Sequence, residues 1–188
     1  MSFFPLFIEM QHLKVLLVGG GKIATDKLTK LLEFTNQITV IATEISLETQ
    51  RLIALHDLCA YQRSYQQGDI EGFDIVIVAT DTVTLHQAIY EESRGSRVWV
   101  NSVDNIAYCD FIFPSYIKKD ELTIAFSTGG ASPAFAKQIR EYFEKRIPDS
   151  VGDFLKKMKA LREQMPKGVE RMKYFEKLTR HYFRENFK

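Results

Sequence analysis

Residues 14–18 (KVLLV) run straight into Gly19-Gly20-Gly21. Apolar residues then recur at helical spacing through Ile23, Ala24, Leu28, Leu31 and Leu32, up to Phe34. A short, nearly continuous apolar run is what a strand covered on both faces requires. A strand that passes through glycines into a helix is the start of a βα unit, and units of this kind build parallel sheets. The alternation continues. Residues 38–42 (ITVIA) form a second β-branched run, Ser46 is placed to cap a helix through Leu52, Ile53 and Leu55, and residues 74–79 (DIVIVA) form another buried strand. Thr80-Asp81-Thr82 reads as a strand-to-helix turn with Asp81 as the N-cap of a helix carrying Leu85, Ala88 and Ile89, and residues 98–100 form the next strand. The expected fold class is α/β, with an N-terminal Rossmann-like, doubly wound parallel sheet.

The pattern changes after Asp104. Two β-rich runs, 111–117 and 122–126, flank the polar segment Lys118-Lys119-Asp120-Glu121 and predict a hairpin. Ser132 is then placed as an N-cap with Pro133 at the first helical position, opening a helix to about Arg146. From Val151 the chain is helical in composition and is broken in two by Pro166-Lys167-Gly168. A small α+β segment and a C-terminal helical segment are therefore expected to follow the sheet. The expected boundaries are 1–112, 113–147 and 148–188.

Composition removes several classes of function. The net charge of +1 over 188 residues argues against a nucleic-acid binder. From Val151 to Lys188, however, eleven Lys/Arg face five Asp/Glu, a local excess of six. That excess suits either an anionic partner or a solvated helical face. Two cysteines, Cys59 and Cys109, are too few for a disulfide framework. The start, MSFFPLFIEM, has no basic region and no small-residue cleavage site, and no apolar run approaches the roughly 20 residues that span a bilayer. The expectation is a cytoplasmic chain with no membrane partner.

Three constellations bear chemistry. In Gly19-x-Gly21-x-x-Ala24, Gly19 permits the tight turn, Gly21 lets backbone approach a pyrophosphate, and Ala24 keeps helix and strand close. The helix N-terminus presents N–H groups to the phosphates. Glycine turns also serve ordinary βα connections, but the flanking strand and helix favour a dinucleotide site. The acidic residue expected on the ribose falls at Glu44, a little late in register, with Thr43 or backbone as alternatives. No arginine is read at this strand end to welcome a 2′-phosphate, which favours NAD over NADP. The second constellation is Asn101-Ser102-Val103-Asp104 at a strand's C-terminal end, where open α/β sheets place ligands. Asp104 is suited to act as a general base there, provided burial raises its pKa, or to cap a turn, and Asp110 reads as a turn residue. The third is Ser127-Thr128-Gly129-Gly130-Ala131-Ser132, which suits either an anion cradle or a simple capping loop. The histidines, His12, His56, His86 and His181, have no metal-ligand spacing and read as structural or surface residues. His86 stands apart because it lies one turn into the helix after Thr80-Asp81. No metal site is expected.

Together these stretches resemble the precorrin-2 dehydrogenase family, the dehydrogenase/ferrochelatase module of siroheme synthesis. The resemblance rests on Phe4-Pro5-Leu6-Phe7 leading to Val18-Gly19-Gly20-Gly21, on Ala79-Thr80-Asp81, on Val100 to Asp104 leading to Asp110-Phe111-Ile112-Phe113-Pro114, and on Ser127 to Pro133. It covers residues 3–148 in order. The resemblance implies an NAD-dependent enzyme that oxidises precorrin-2 to sirohydrochlorin and pairs as a homodimer through about 113–147. It puts the catalytic aspartate at Asp104. It puts nucleotide contacts at Gly21, Lys22, Ile23, Thr43 and Glu44. With the rest of the glycine turn and the next strand end, Gly19, Gly20, Thr80 and Asp81 are also expected to contact the nucleotide, and Asn101, Ser127, Thr128, Gly129, Gly130 and Ser132 the substrate. Some family members also insert ferrous iron, and others are fused to a methyltransferase. In 188 residues no room is expected for the latter. Two departures are Ser102, where valine is common, and Lys22, where an acidic residue is frequent. The alternative is a non-catalytic Rossmann module that senses NAD or a tetrapyrrole.

Overall fold

The computed structural model describes residues 3–187. Met1, Ser2 and Lys188, the ends of the two outer expected segments, lie outside the described residues. Two compact units divide the chain, one from Phe3 to Ile112 and one beginning at Phe113.

The first unit is a five-stranded parallel sheet in the order β3-β2-β1-β4-β5. The strands are β1 (Val15–Val18), β2 (Ile38–Ala42), β3 (Cys59–Gln62), β4 (Ile75–Val78) and β5 (Trp99–Ser102). Helices α1 (Lys22–Leu31), α2 (Leu47–Leu55) and α3 (Val83–Ser93) connect them. The apolar runs behave as their sequence predicts: every residue of β1 and of β4 is buried. On one face Leu16, Val18, Val76, Val78 and Val100 pack with Ile89 of α3. Each fully buried aliphatic side chain contributes about 1.5–3 kcal/mol, so this central slab is the main stabiliser of the unit. Ser46 caps α2, accepting from the Thr49 N–H. The chain leaves β1 toward β2 and later returns to the other side of β1 as β4, so the strand order reverses between β1 and β4. A crevice opens at such a reversal, beyond the strands' carboxyl ends.

Three details differ from the sequence reading. Strand β3 was not anticipated. It is a fully exposed edge strand, and its CAYQ sequence lacks the apolar run that marked the others. The N-cap of α3 is Thr82 rather than Asp81, and it makes no side-chain capping bond. Strand β5 runs through Asn101 and Ser102, two residues past the expected end.

The second unit is an antiparallel hairpin, β6 (Ser115–Lys119) and β7 (Leu122–Phe126), followed by α4 (Pro133–Glu144), α5 (Val151–Gln164) and α6 (Val169–Asn186). The hairpin turn is only Asp120-Glu121, shorter than the four polar residues suggested, because Asp120 adopts the left-handed conformation (φ 51°). Ile117, Ile147, Val151 and Tyr182 form a small core, with Phe154 stacked on Tyr182 at 4.1 Å. Lys156 and Lys159 of α5 pair with Asp120 and Glu121 at 3.0 Å each, tying the helix to the turn. Among the described residues no helix is long and apolar enough to cross a membrane.

Two ion pairs pin loops of the first unit. Arg63 grips Asp69 with bonds of 2.7 and 2.8 Å, and Arg94 grips Asp110 with bonds of 2.9 and 2.7 Å. The Arg63 guanidinium holds the Asp69 carboxyl below its usual range. Burial pushes the Asp110 carboxyl up, but Arg94 and the Val100 N–H outweigh it and hold Asp110 low as well. A carboxylate depressed on folding stabilises fully above its unfolded value of about 3.9 and loses that contribution as pH falls through the folded value. Asp69→Asn should therefore lower Tm by about 2–4 °C at pH 7, on the scale of 1 kcal/mol for a chain of this size. In thermal melts the gap from wild type should close as pH falls below about 4.

Candidate functional site

The glycine turn is held rigidly. Gly19 sits at φ +125°, and a Cβ there would come within 2.2 Å of the Ala79 carbonyl oxygen on the neighbouring strand end. A Cβ on Gly20 would come within 2.2 Å of the Glu44 carbonyl oxygen. Those two positions are therefore closed by backbone packing. The Gly20 carbonyl accepts from the Ser46 N–H at 2.9 Å and from the buried Thr49 hydroxyl at 3.2 Å. Thr49 in turn meets the Thr25 hydroxyl at 2.7 Å, so α1, α2 and the turn share one network of hydroxyls.

Gly21 differs from its neighbours. It is exposed, and a Cβ built on it meets nothing within 4 Å. It is the N-cap of α1 and offers no side-chain oxygen to the first turn, whose residues include no acid. The amides at the start of α1 are thus left for an outside acceptor, and the helix dipole favours an anion there. The open space at Gly21 fits a pyrophosphate.

This turn forms one wall of a cleft of about 620 Å³ at the strand-order reversal. The structure brings Gly19, Gly20, Gly21, Lys22, Ile23, Thr43, Glu44, Thr80 and Asp81 together as its lining, with Arg63, Ser64 and Tyr65. The volume lies within the range of ordinary cofactor and ligand sites. Arg63 corrects the reading that no arginine stands near the Glu44 strand end. It follows β3, and it was missed with that strand. Its guanidinium is already gripped in a fork by Asp69. Glu44 lines the cleft just past β2, where the ribose contact is expected. Glu44→Ala should raise KM for NAD about tenfold, one charge-assisted hydrogen bond's worth, with kcat little changed in steady-state assays.

Next to this cleft, β5 ends beside β4: Ser102 pairs with Val78, and the Val103 N–H donates to the Val78 carbonyl at 2.9 Å. Asp104 follows in the turn at φ 60°, and it is exposed, so the burial expected of it from sequence is not found. A non-glycine residue in the left-handed region is uncommon and is tolerated best by Asp and Asn. The loop behind it is built on Cys109. The thiol accepts from the Ser102 N–H at 3.2 Å and donates to the Ser102 carbonyl at 3.1 Å, and burial pushes it above its usual range. Lys27 of α1 faces this loop. Burial, then repulsion by Lys30, pushes its ammonium below the usual lysine range, and the charge of Asp104 pulls it back up. Lys27 was not singled out from sequence, because nothing local marks a lysine in mid-helix as a neighbour of a loop far along the chain.

Asn101 is only 4% exposed, and its amide donates to the Phe111 carbonyl at 2.8 Å, so it fastens the 109–111 segment to the sheet. His86 is buried, and its Nε2 meets the Thr80 carbonyl at 2.8 Å, holding the end of β4 against α3. Among the described residues, the buried side-chain polar atoms without a partner are Thr80 Oγ1, His86 Nδ1, Asn101 Oδ1 and Ser102 Oγ. All four belong to the ends of β4 and β5 or to the helix between them. Unsatisfied buried groups are rare in folded proteins and concentrate where a fold serves chemistry rather than stability.

The Ser127–Ser132 segment belongs to the second unit. Gly129 and Gly130 are left-handed, at φ +61° and +88°. Ser132 caps α4, accepting from the Phe135 N–H at 3.2 Å. The Thr128 hydroxyl accepts from the Ser132 N–H at 3.1 Å, and the Ser127 hydroxyl from the Gly129 N–H at 3.1 Å. The three hydroxyl oxygens therefore shape the turn, and each keeps its own O–H to donate.

Comparison with known proteins agrees with this geometry. Residues 6–115 match the family described as "Putative NAD(P)-binding", and residues 119–146 match "Sirohaem biosynthesis protein central". The chain is 35% identical over 173 residues to a siroheme synthase of Photorhabdus laumondii, covering 92% of this chain and 37% of that protein. It is 35% identical over 174 residues to a siroheme synthase of Methylococcus capsulatus, covering 90% of this chain and 36% of that protein. The chain thus spans little more than a third of these curated relatives. Among solved structures it resembles SirC, a precorrin-2 dehydrogenase, with a TM-score of 0.75 and 24% identity, covering 90% of this chain and 85% of that one. This likeness establishes the fold.

Proposed function

This chain belongs to the NAD(P)-binding family matched by residues 6–115, and from that premise we propose that it is an oxidoreductase converting precorrin-2 to sirohydrochlorin, with NAD as hydride acceptor, in siroheme biosynthesis. The observation that carries the reading is the cleft at the β1/β4 reversal, where Gly21 alone of the three turn glycines leaves open space, with Asp104 at the next strand end. The siroheme synthase relatives and the central segment at residues 119–146 support the choice of substrate.

In this reading the start of α1 holds the pyrophosphate through its free amides, and Glu44 accepts from the ribose. NAD bound there supplies the acceptor for a hydride. Asp104 takes the proton that leaves the substrate with the hydride, so the macrocycle loses the equivalent of two hydrogens and charge balances. The hydroxyls of Ser127, Thr128 and Ser132, with Gly129 and Gly130, are proposed to receive substrate carboxylates, and Asn101 to contact the substrate.

Insertion of ferrous iron into sirohydrochlorin is the finer part of the proposal. The metal is then a substrate, and Asp104 relays the two displaced pyrrole protons to solvent one at a time. A homodimer through 113–147 is also proposed. It is supported by Phe135, Tyr142 and Phe143, which α4 leaves 59%, 52% and 42% exposed. A cytoplasmic setting belongs to the same reading.

Anaerobic incubation with precorrin-2 and NAD tests the function. Sirohydrochlorin formed over many turnovers supports the enzyme. Saturable binding of both molecules with no product supports a sensing module instead. Adding ferrous iron to sirohydrochlorin and following siroheme formation tests the second activity.

A further inference from the structure

The C-terminal helices leave a second cavity, of about 650 Å³, between α5 and α6 and wholly within the second unit. Its floor is the buried Phe175, 8% exposed, with Met158 beside it and the exposed Met172 at the edge. Three arginines rim it, Arg162, Arg171 and Arg180, against one carboxylate, Glu176.

Arg171 is fixed by backbone carbonyls, whereas Arg180 is free to reach a ligand from an exposed position. Arg171 donates to the Arg162 and Met165 carbonyls at 3.1 and 3.0 Å, closing the C-terminal end of α5. The Arg162 guanidinium lies 5.3 Å from the Phe175 ring centroid. Arg180 stands 3.7 Å from Glu176, one turn away. The three arginines line one cavity with a ring and two thioethers, in the stretch that carries the chain's local excess of six positive charges (eleven minus five). Guanidinium forks match carboxylates two bonds at a time and stack on flat π-systems, whereas an aromatic and methionine floor accepts a flat apolar face. The cavity is of the size of ordinary small-molecule sites.

We infer that the α5/α6 cavity is a second binding site, separate from the dinucleotide cleft, for a flat, apolar-faced polycarboxylate of the tetrapyrrole class. The choice of tetrapyrrole rests on the proposed function; the choice of a flat polycarboxylate rests on the cavity alone.

The test uses the full chain and uroporphyrin I, a carboxylate-rich porphyrin, in isothermal titration at moderate salt. Two variants are compared with wild type: Arg162→Gln with Arg180→Gln, which removes rim charge, and Thr179→Phe, which fills the cavity and keeps every charge. Circular dichroism checks that each is folded, and either folded variant suffices. The inference predicts that each variant binds one equivalent fewer per chain than wild type, or binds that equivalent at least tenfold more weakly, while dehydrogenation of precorrin-2 proceeds at the wild-type rate. This difference of one equivalent is read whether or not the probe also enters the catalytic site, so it survives a failure of the proposed function. Unchanged stoichiometry and affinity in both variants would overturn the inference. Loss of dehydrogenation in step with the lost equivalent would overturn it too, by making the cavity part of the catalytic site.

Discussion

Gly21→Asp is expected to fold normally and to lose NAD affinity by at least a hundredfold. The two halves of this expectation have separate physical grounds. A Cβ at position 21 meets nothing within 4 Å, and Gly21 does not need the left-handed region, so the native backbone accepts a side chain without strain. The space the side chain enters is the space offered to the pyrophosphate, and its charge is the wrong sign. A carboxylate facing a phosphate repels it and also competes for the amides at the start of α1. A hundredfold is about 2.7 kcal/mol, less than the loss of two charge-assisted hydrogen bonds. The contrast with the adjacent glycine sharpens the test. Gly20→Ala drives a Cβ to 2.2 Å from the Glu44 carbonyl oxygen, backbone against backbone, and should lower stability as well as binding. Calorimetric titration with NAD beside a thermal melt separates the two. A Gly21→Asp chain that binds NAD like wild type would remove the cleft from the mechanism.

Asp104→Asn is expected to lower kcat for sirohydrochlorin formation by about 10²–10⁴ and to leave the Kd for NAD within a factor of about two, since general-base catalysis contributes on that scale. Asparagine is the informative replacement because position 104 sits at φ 60°, a conformation that Asn adopts as readily as Asp. The amide keeps the size and the turn and removes only the ability to take a proton. Asp104→Ala would add strain to that loss, and its result would be harder to read. Single-turnover kinetics with precorrin-2 and saturating NAD provide the measurement. Full activity in the asparagine variant would mean that the proton goes elsewhere.

The sheet was legible because buried parallel strands leave near-continuous apolar runs, and β1, β2 and β4 carry VLLV, ITVIA and IVIV. The exposed edge strand β3 left no such trace, and Arg63 was lost with it. The glycine turn was legible because its chemistry is local: three residues, one strand end, one helix start. Ser132 and Pro133 were legible as the start of α4 for the same reason. Asp81 failed as a cap because the chain runs one residue further before it turns, to Thr82, although N-cap preference favours Asp over Thr. Lys27 beside Asp104, Cys109 at the heart of its loop, and the Arg94–Asp110 fork are long-range meetings that only the folded sheet creates. The site was thus readable where residues adjacent in sequence make it, and hidden where separate strands do.

The most direct test of the central claim is a count of electrons. Precorrin-2 and NAD are mixed with the chain under anaerobic conditions, and the rise of NADH absorbance is followed together with the sirohydrochlorin spectrum. The account predicts one NADH for each sirohydrochlorin, no product when NAD is omitted, and no product from Gly21→Asp at NAD concentrations that saturate the wild type. Sirohydrochlorin formed at the same rate without NAD, or NAD and precorrin-2 bound side by side with neither consumed, would contradict it.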